Sequence, residues 1–149
     1  MKKWLSILMC LAMLFAAAAC SSASSESAST PKEIDVDLTA LSSTIVYSTV
    51  NDMLVKPEDY IGQTVKMNGA FAYYHDESAD QYYYACIIAD ATACCQQGIE
   101  FVLDGDYTFP DDYPEPDENI TVVGTFETYD EAGRTYCTLR NASFVTDGA

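Results

Sequence analysis

The chain has 149 residues, of which 23 are acidic and seven basic, with one histidine and a formal net charge of −16. A charge this negative repels phosphate backbones and excludes nucleic acid as a partner class. It also repels anionic lipid head groups and favours cations and basic partners, while its plainest consequence is solubility.

The first nineteen residues read as a leader rather than as fold. Lys2 and Lys3 supply a positive start, and over residues 4–19 the only polar side chain is Ser6. A membrane span needs about 20 apolar residues, so this run is short for one and suits a secretory signal. Ala17, Ala18 and Ala19 lead into Cys20. Small residues ending at a cysteine resemble a bacterial lipobox, in which the sulfur is lipidated and the cysteine becomes residue one. Ala17 stands where leucine is usual. The alternative is a plain secretion signal cut near Ala19. Cys10 is preceded by the bulky Leu8 and Met9 and does not fit. Residues 21–32 carry no large apolar side chain and cannot offset chain entropy, so a flexible tether is expected over 20–37. Without Lys2 and Lys3, five basic residues face all 23 acidic ones, a balance of about −18.

Residues 38–149 are then one domain of ordinary size. Asp37 suits the N-cap of a helix beginning near Leu38, with Leu38, Ile45, Val46, Thr49, Val50 and Met53 on one face. The β-branched residues over 44–50 argue the other way, toward a strand. Pro57 and Gly62 bracket a single helical turn. Alternating apolar residues then predict five strands. Residues 64–74 place Val65, Met67, Gly69 and Phe71 on one face, with Gly69 as a bend. Residues 81–89 are apolar on both faces. Residues 98–103, 120–129 and 135–145 follow, the last with a break near Asn141. Between the third and fourth strands, residues 104–119 hold Pro110, Pro114 and Pro116 among seven carboxylates. That composition forbids a helix, keeps the segment in water and marks a functional or mobile loop.

Five such strands with a bent first member predict a small closed barrel. Pro57, Tyr60, Gly62, Val65, Met67 and Gly69, the Ala93-Cys94-Cys95 turn, and Val123-Gly124-Thr125-Phe126 resemble a group of OB-like lipoproteins of Gram-positive bacteria. The similarity runs from about residue 38 onward. It implies an OB-type fold and a surface location, with no activity attached. The chain is also similar to the soluble domain of a membrane protein family encoded beside a putative permease, which carries a comparable double-cysteine turn. That likeness implies a role near metal or small-ion handling at the envelope. One departure is plain: an OB barrel often carries a helix between its third and fourth strands, where this chain has its acidic, proline-rich stretch.

Four cysteines fall in the domain: Cys86, Cys94, Cys95 and Cys137. An even number in an exported domain suggests disulfides. Adjacent cysteines rarely bond each other, because the eight-membered ring strains the peptide. Cys86 and Cys137 are then the expected partners of Cys94 and Cys95, provided the Cα atoms come within about 7 Å. Closing about 43 residues between Cys94 and Cys137 would stabilise by roughly 2–4 kcal/mol. Alternatively the four thiolates could hold zinc, although the spacing is not the usual Cys-x-x-Cys knuckle. Redox exchange through Cys94 and Cys95 lacks a thioredoxin-like motif. Cys86 and Cys137 also fit as small core residues.

His75, the single histidine, falls at a turn beside Asp76 and Glu77, with no nucleophile placed next to it, and reads as a solvated residue. The carboxylates Asp76, Glu77, Asp80, Asp104, Asp106, Asp111 and Asp112 could hold a hard cation, but EF-hand spacing is absent. Eleven tyrosines are present. Tyr82, Tyr83 and Tyr84 must divide between the two faces of their strand, so some rings face outward and can stack on a ligand. No phosphate loop, nucleophile elbow or paired acid and base is visible, so no enzyme is predicted. Two functions remain. One is a lipid-anchored, non-catalytic binding module on the extracytoplasmic face of the membrane, without cofactor. It would take a protein or small ligand on Tyr82, Tyr83, Tyr84, Asp104 and Asp106. The other is a zinc-binding protein using Cys86, Cys94, Cys95 and Cys137, linked to envelope ion handling.

Overall fold

The computed structural model describes residues 33–145. The expected leader over 1–19, the anchor Cys20 and most of the tether lie outside the described residues.

The described chain is mainly β: a six-stranded sheet with one α-helix. β1 (Val36–Asp37) is a two-residue strand running parallel to the start of β2, with Val36 opposite Val65. Ordered structure therefore begins inside the stretch expected to be tether. The Asp35 backbone N–H donates to the Thr64 carbonyl at 2.9 Å, and its carboxylate accepts from the Thr64 N–H at 2.7 Å.

The helix starts later than expected. Asp37 does cap, accepting from the Thr39 N–H at 2.9 Å, but it caps a short 3-10 turn, Leu38–Ala40. Leu41 is extended, and α1 (Ser43–Val55) begins afterwards. Leu38 is buried from that separate turn. On α1 the buried stripe is Val46, Val50 and Met53, at i, i+4 and i+7, while Ile45 is 50% exposed, one position off the stripe. Burying that stripe against β3 and β4 outweighs the strand propensity of the β-branched run. A second 3-10 turn, Pro57–Asp59, follows, and Gly62 leaves it at φ +86°.

The long strands are β2 (Thr64–Asp76), β3 (Gln81–Ala89), β4 (Gln96–Leu103), β5 (Asn119–Glu131) and β6 (Arg134–Phe144). Their order in the sheet is β2-β3-β4-β6-β5, and β5 pairs back onto β2, so the five form a ring. Besides its short contact with β1, β2 serves two long partners. Residues 64–70 pair with β5 and residues 70–76 with β3. The change of partner falls at Gly69 and Ala70. A Cβ at Gly69 would stand 2.3 Å from the Ile87 carbonyl oxygen, so only glycine permits that approach. β4 and β6 pair in parallel, with a register shift between Phe101 and Leu103. Asn141, at φ +48°, sits where the sequence predicted a break.

Inside the ring lie Met67, Phe71, Cys86, Ile99, Phe101, Phe126 and Leu139, all buried. The proline-rich segment after β4 does not simply stay in water. Phe109 packs on Tyr73 and Tyr82 with ring centroids 4.7 and 4.8 Å away, and Tyr113 stacks on Tyr84 at 4.1 Å. Backbone bonds then join Asp117 and Glu118 to Phe71, at 2.9 and 2.8 Å. The acidic residues stay outside while two aromatic rings fold inward as anchors.

Candidate ligand-binding cleft

β3 and β4 pair only as far as Tyr84 and Phe101. Beyond that point the strands part, and a cleft of about 460 Å³ opens between them, walled by β5, β6 and the loop after β4. Tyr82, Tyr83 and Tyr84 all line it, so it takes in both faces of β3 where β4 no longer pairs, and Tyr107, Tyr113 and Tyr129 join them. A hollow of this size, lined by seven aromatic residues and a few converging polar groups, has the character of a small-molecule site.

Four polar groups converge there. The Tyr129 hydroxyl donates to Glu100 Oε2 at 2.5 Å. The Tyr83 hydroxyl donates to Glu131 Oε1 at 2.7 Å. The Arg140 guanidinium lies 5.5 Å from the centroid of the Tyr129 ring. Burial pushes the Glu100 carboxyl above its ordinary range. Burial and then the bond to Glu100 push the Tyr129 phenol up, and the bond to Glu131 raises Tyr83 to about 12. The fourth group is Thr138, which pairs with Glu100 across the β4–β6 seam. Its side chain lines the cleft and is 1% exposed, and its hydroxyl has no hydrogen-bond partner. A buried hydroxyl left unpaired costs about 1–3 kcal/mol, which a ligand atom could recover.

Asp104 and Asp106, expected at the ligand surface, are exposed residues flanking Gly105 and do not line the cleft. Glu100, Glu131, Thr138 and Arg140 were not singled out from the sequence. Strand phase gives Glu100 and Arg140 an outward direction but gives no sign that β4 and β6 are neighbours.

His75 is not merely solvated: its ring stacks on Tyr82 at 4.1 Å and its Nε2 lies 3.1 Å from Asp80 Oδ1. The Asp76 carboxylate accepts from the Ser78 N–H and hydroxyl, at 2.8 and 2.6 Å, and so closes its own turn. A further hollow, lined by Leu41, Lys66, Asn68 and Thr121, has its amide satisfied: Asn68 donates to the Ile120 carbonyl and the Thr121 hydroxyl.

The four domain cysteines do not gather. No disulfide joins any of the four in this structure. Cys86 faces the core opposite Phe71 and Ile99, and burial raises its thiol to about 12. The Cys137 sulfur lies 3.9 Å from the Met53 carbonyl, against α1. Cys94 and Cys95 are exposed in the turn between β3 and β4, with sulfurs 3.6 Å apart. Neither expected partner reaches them: three strand residues separate Cys86 from that turn and its side chain points into the ring, while Cys137 lies against α1.

Neither a family model nor a curated protein matches the chain. Among the described residues, no helix is long and apolar enough to cross a membrane.

Proposed function

We propose that the chain is a non-catalytic binding module, held on the extracytoplasmic face of the membrane by a lipid on Cys20, and that the ring of strands is an OB-type barrel. The order β2-β3-β4-β6-β5, closed by β2 with β5, supports the barrel reading, as does the parallel pairing of β4 with β6. The ligand would enter the cleft between β3 and β4. The observation that carries this reading is Thr138, whose buried hydroxyl is unpaired at the cleft wall.

The chemistry favours a small neutral or cationic ligand with one flat apolar face and at least one hydrogen-bonding group. The flat face would lie on the tyrosine rings, and the polar group would meet Thr138 and the free oxygens of Glu100 and Glu131. The net charge of −16 selects against anions.

The test is a thermal-shift and NMR titration with monosaccharides, oligosaccharides, primary amines and short basic peptides. A supporting result is saturable binding that perturbs Thr138 and Tyr129 and falls at least tenfold in both Thr138→Val and Tyr83→Ala. Binding that survives both variants, or a panel with no ligand at millimolar concentration, removes the cleft reading. Fatty-acid labelling lost in Cys20→Ala supports the anchor, and secretion of unlabelled protein removes it.

A further inference from the structure

The turn between β3 and β4 brings together a second set of groups, away from the cleft. The Asp90 backbone N–H donates to the Cys95 carbonyl at 2.9 Å, which closes the turn just past the Ala89–Gln96 pair. Asp90 Oδ1 accepts from the backbone N–H groups of Thr92 and Cys94, at 3.1 and 3.0 Å. The carboxylate is thereby held facing the cysteines. Its other oxygen, Oδ2, lies 3.2 Å from the Cys94 sulfur. The Cys94 and Cys95 sulfurs are 3.6 Å apart. Asp90, Cys94 and Cys95 form the one group of three metal-ligating side chains among the described residues whose ligand atoms all lie within 4.8 Å of one another.

We propose that Asp90, Cys94 and Cys95 form a three-ligand site for a thiophilic divalent cation of the zinc type, with its fourth position open. Two of the three ligand separations can be set against tetrahedral coordination, and the third, from the Cys95 sulfur to the Asp90 carboxylate, is within 4.8 Å. With Zn–S bonds of ~2.3 Å and a Zn–O bond of ~2.0 Å, two sulfurs stand about 3.7 Å apart and a sulfur and an oxygen about 3.5 Å. The two sulfurs already meet the first figure within about 0.1 Å, and the carboxylate needs to withdraw by about 0.3 Å. A vicinal pair can span one cation because the ion replaces the strained disulfide ring with a wider one.

Without a cation the three groups are tied to one another by hydrogen bonds, which an arriving cation must displace. The hydrogen bond from Cys94 holds the Asp90 carboxyl below its ordinary range, and the bond with Cys94 pushes the Cys95 thiol up. Tyr47, facing the turn from α1, has its phenol raised by burial and then by Cys95, Asp90 and Cys94. A dication would neutralise the negative charge. Binding replaces the two thiol protons with metal–sulfur bonds and releases both to the buffer, so affinity should rise with pH. Three ligands on an exposed turn make an exchangeable site, open to water or to a donor from another molecule, unlike the closed sites that hold a fold together.

The site differs from the four-cysteine cluster expected from the sequence. Asp90 replaces Cys86 and Cys137, which lie in the core and against α1. It also shares no residue with the cleft, so either proposal can fail alone.

The experiment uses the full chain in detergent, kept reduced with a phosphine. Zinc affinity is measured by competition with a chromophoric chelator, and cadmium binding by the thiolate charge-transfer band in the ultraviolet. One equivalent of metal is expected, with a charge-transfer intensity of two thiolates. Cys94→Ser and Cys95→Ser should each weaken binding at least tenfold and halve the band. Asp90→Asn should weaken it severalfold with the band intact, and Cys137→Ala should change neither. Cys94 and Cys95 are exposed and Asp90 is half-buried in the turn, and an unchanged metal-free melting temperature confirms that the variants fold. Failure of the reduced wild type to take up stoichiometric metal overturns the proposal. So does uptake that persists undiminished in the Cys94→Ser/Cys95→Ser double variant, or that is lost equally in Cys137→Ala.

Discussion

Two residues show how much a single atom decides here. Gly69 has the Ile87 carbonyl where a Cβ would go. Gly69→Ala must therefore push β2 from β3 just where β2 changes partner. The expected loss is about 1–3 kcal/mol or more, read as a lower urea midpoint at unchanged slope. The sequence marked Gly69 as a bend, but it held no sign of which carbonyl approaches. Glu100 supplies a pH signature. Burial raises its carboxyl in the folded state. A raised carboxyl contributes stability that is complete below the unfolded value of about 4.3 and is lost as pH rises through the folded value. Glu100→Gln cannot titrate and can still accept from Tyr129. Between pH 4 and pH 7 the wild type should lose stability relative to this variant. Parallel melts across that range check the sign, and a constant difference would refute it. Thr138 was illegible for a related reason. A threonine in an alternating strand reads as outward and wet, and only the neighbouring strands reveal that its outward face is covered.

At the scale of elements, the period-two alternation carried most of the information. The five long strands were legible because one face of each meets a dry interior, and the Pro57–Asp59 turn was legible from its proline and Gly62. The helix start was misplaced because Asp37 satisfies the same capping signature in a 3-10 turn. Strand order is another matter. The parallel β4–β6 contact comes from chain segments that alternate equally well in other arrangements, and no local signal chooses among them. The loop after β4 was half legible. Its prolines and carboxylates identified an irregular connection, but Phe109 and Tyr113 were lost among them. Tyr113→Ala should remove a half-buried ring stacked on Tyr84, at a cost of about 2 kcal/mol. Limited proteolysis should then cut within residues 104–118 faster than in wild type, while the strands stay protected. Equal cleavage rates would show that Tyr113 does not pin the loop.

The whole molecule carries a charge of −16, and its few basic residues neutralise little of it. Lys56 pairs with Asp52 at 3.1 Å on the surface, and Arg140 sits over Tyr129. Most carboxylates therefore repel one another across the surface. Raising the salt from about 0.01 to 0.15 M shortens the Debye length from about 30 to about 8 Å. The melting temperature should rise by about 2–5 °C, because the expanded chain relieves the same repulsion at low salt. A melting temperature that falls with salt would mean that attractive pairs dominate instead.

The double pairing of β2 also sets an order of events in time. Its far half meets β3 across a four-residue turn, so that hairpin can nucleate as soon as both strands exist. Its near half must wait for β5, where Val65 finds Gly124 more than fifty positions along the chain. Closing so long an excursion is slow. Throughout that delay residues 64–70 offer bare N–H and C=O groups to any extended strand that arrives first, and a sister copy of the same chain is the nearest candidate.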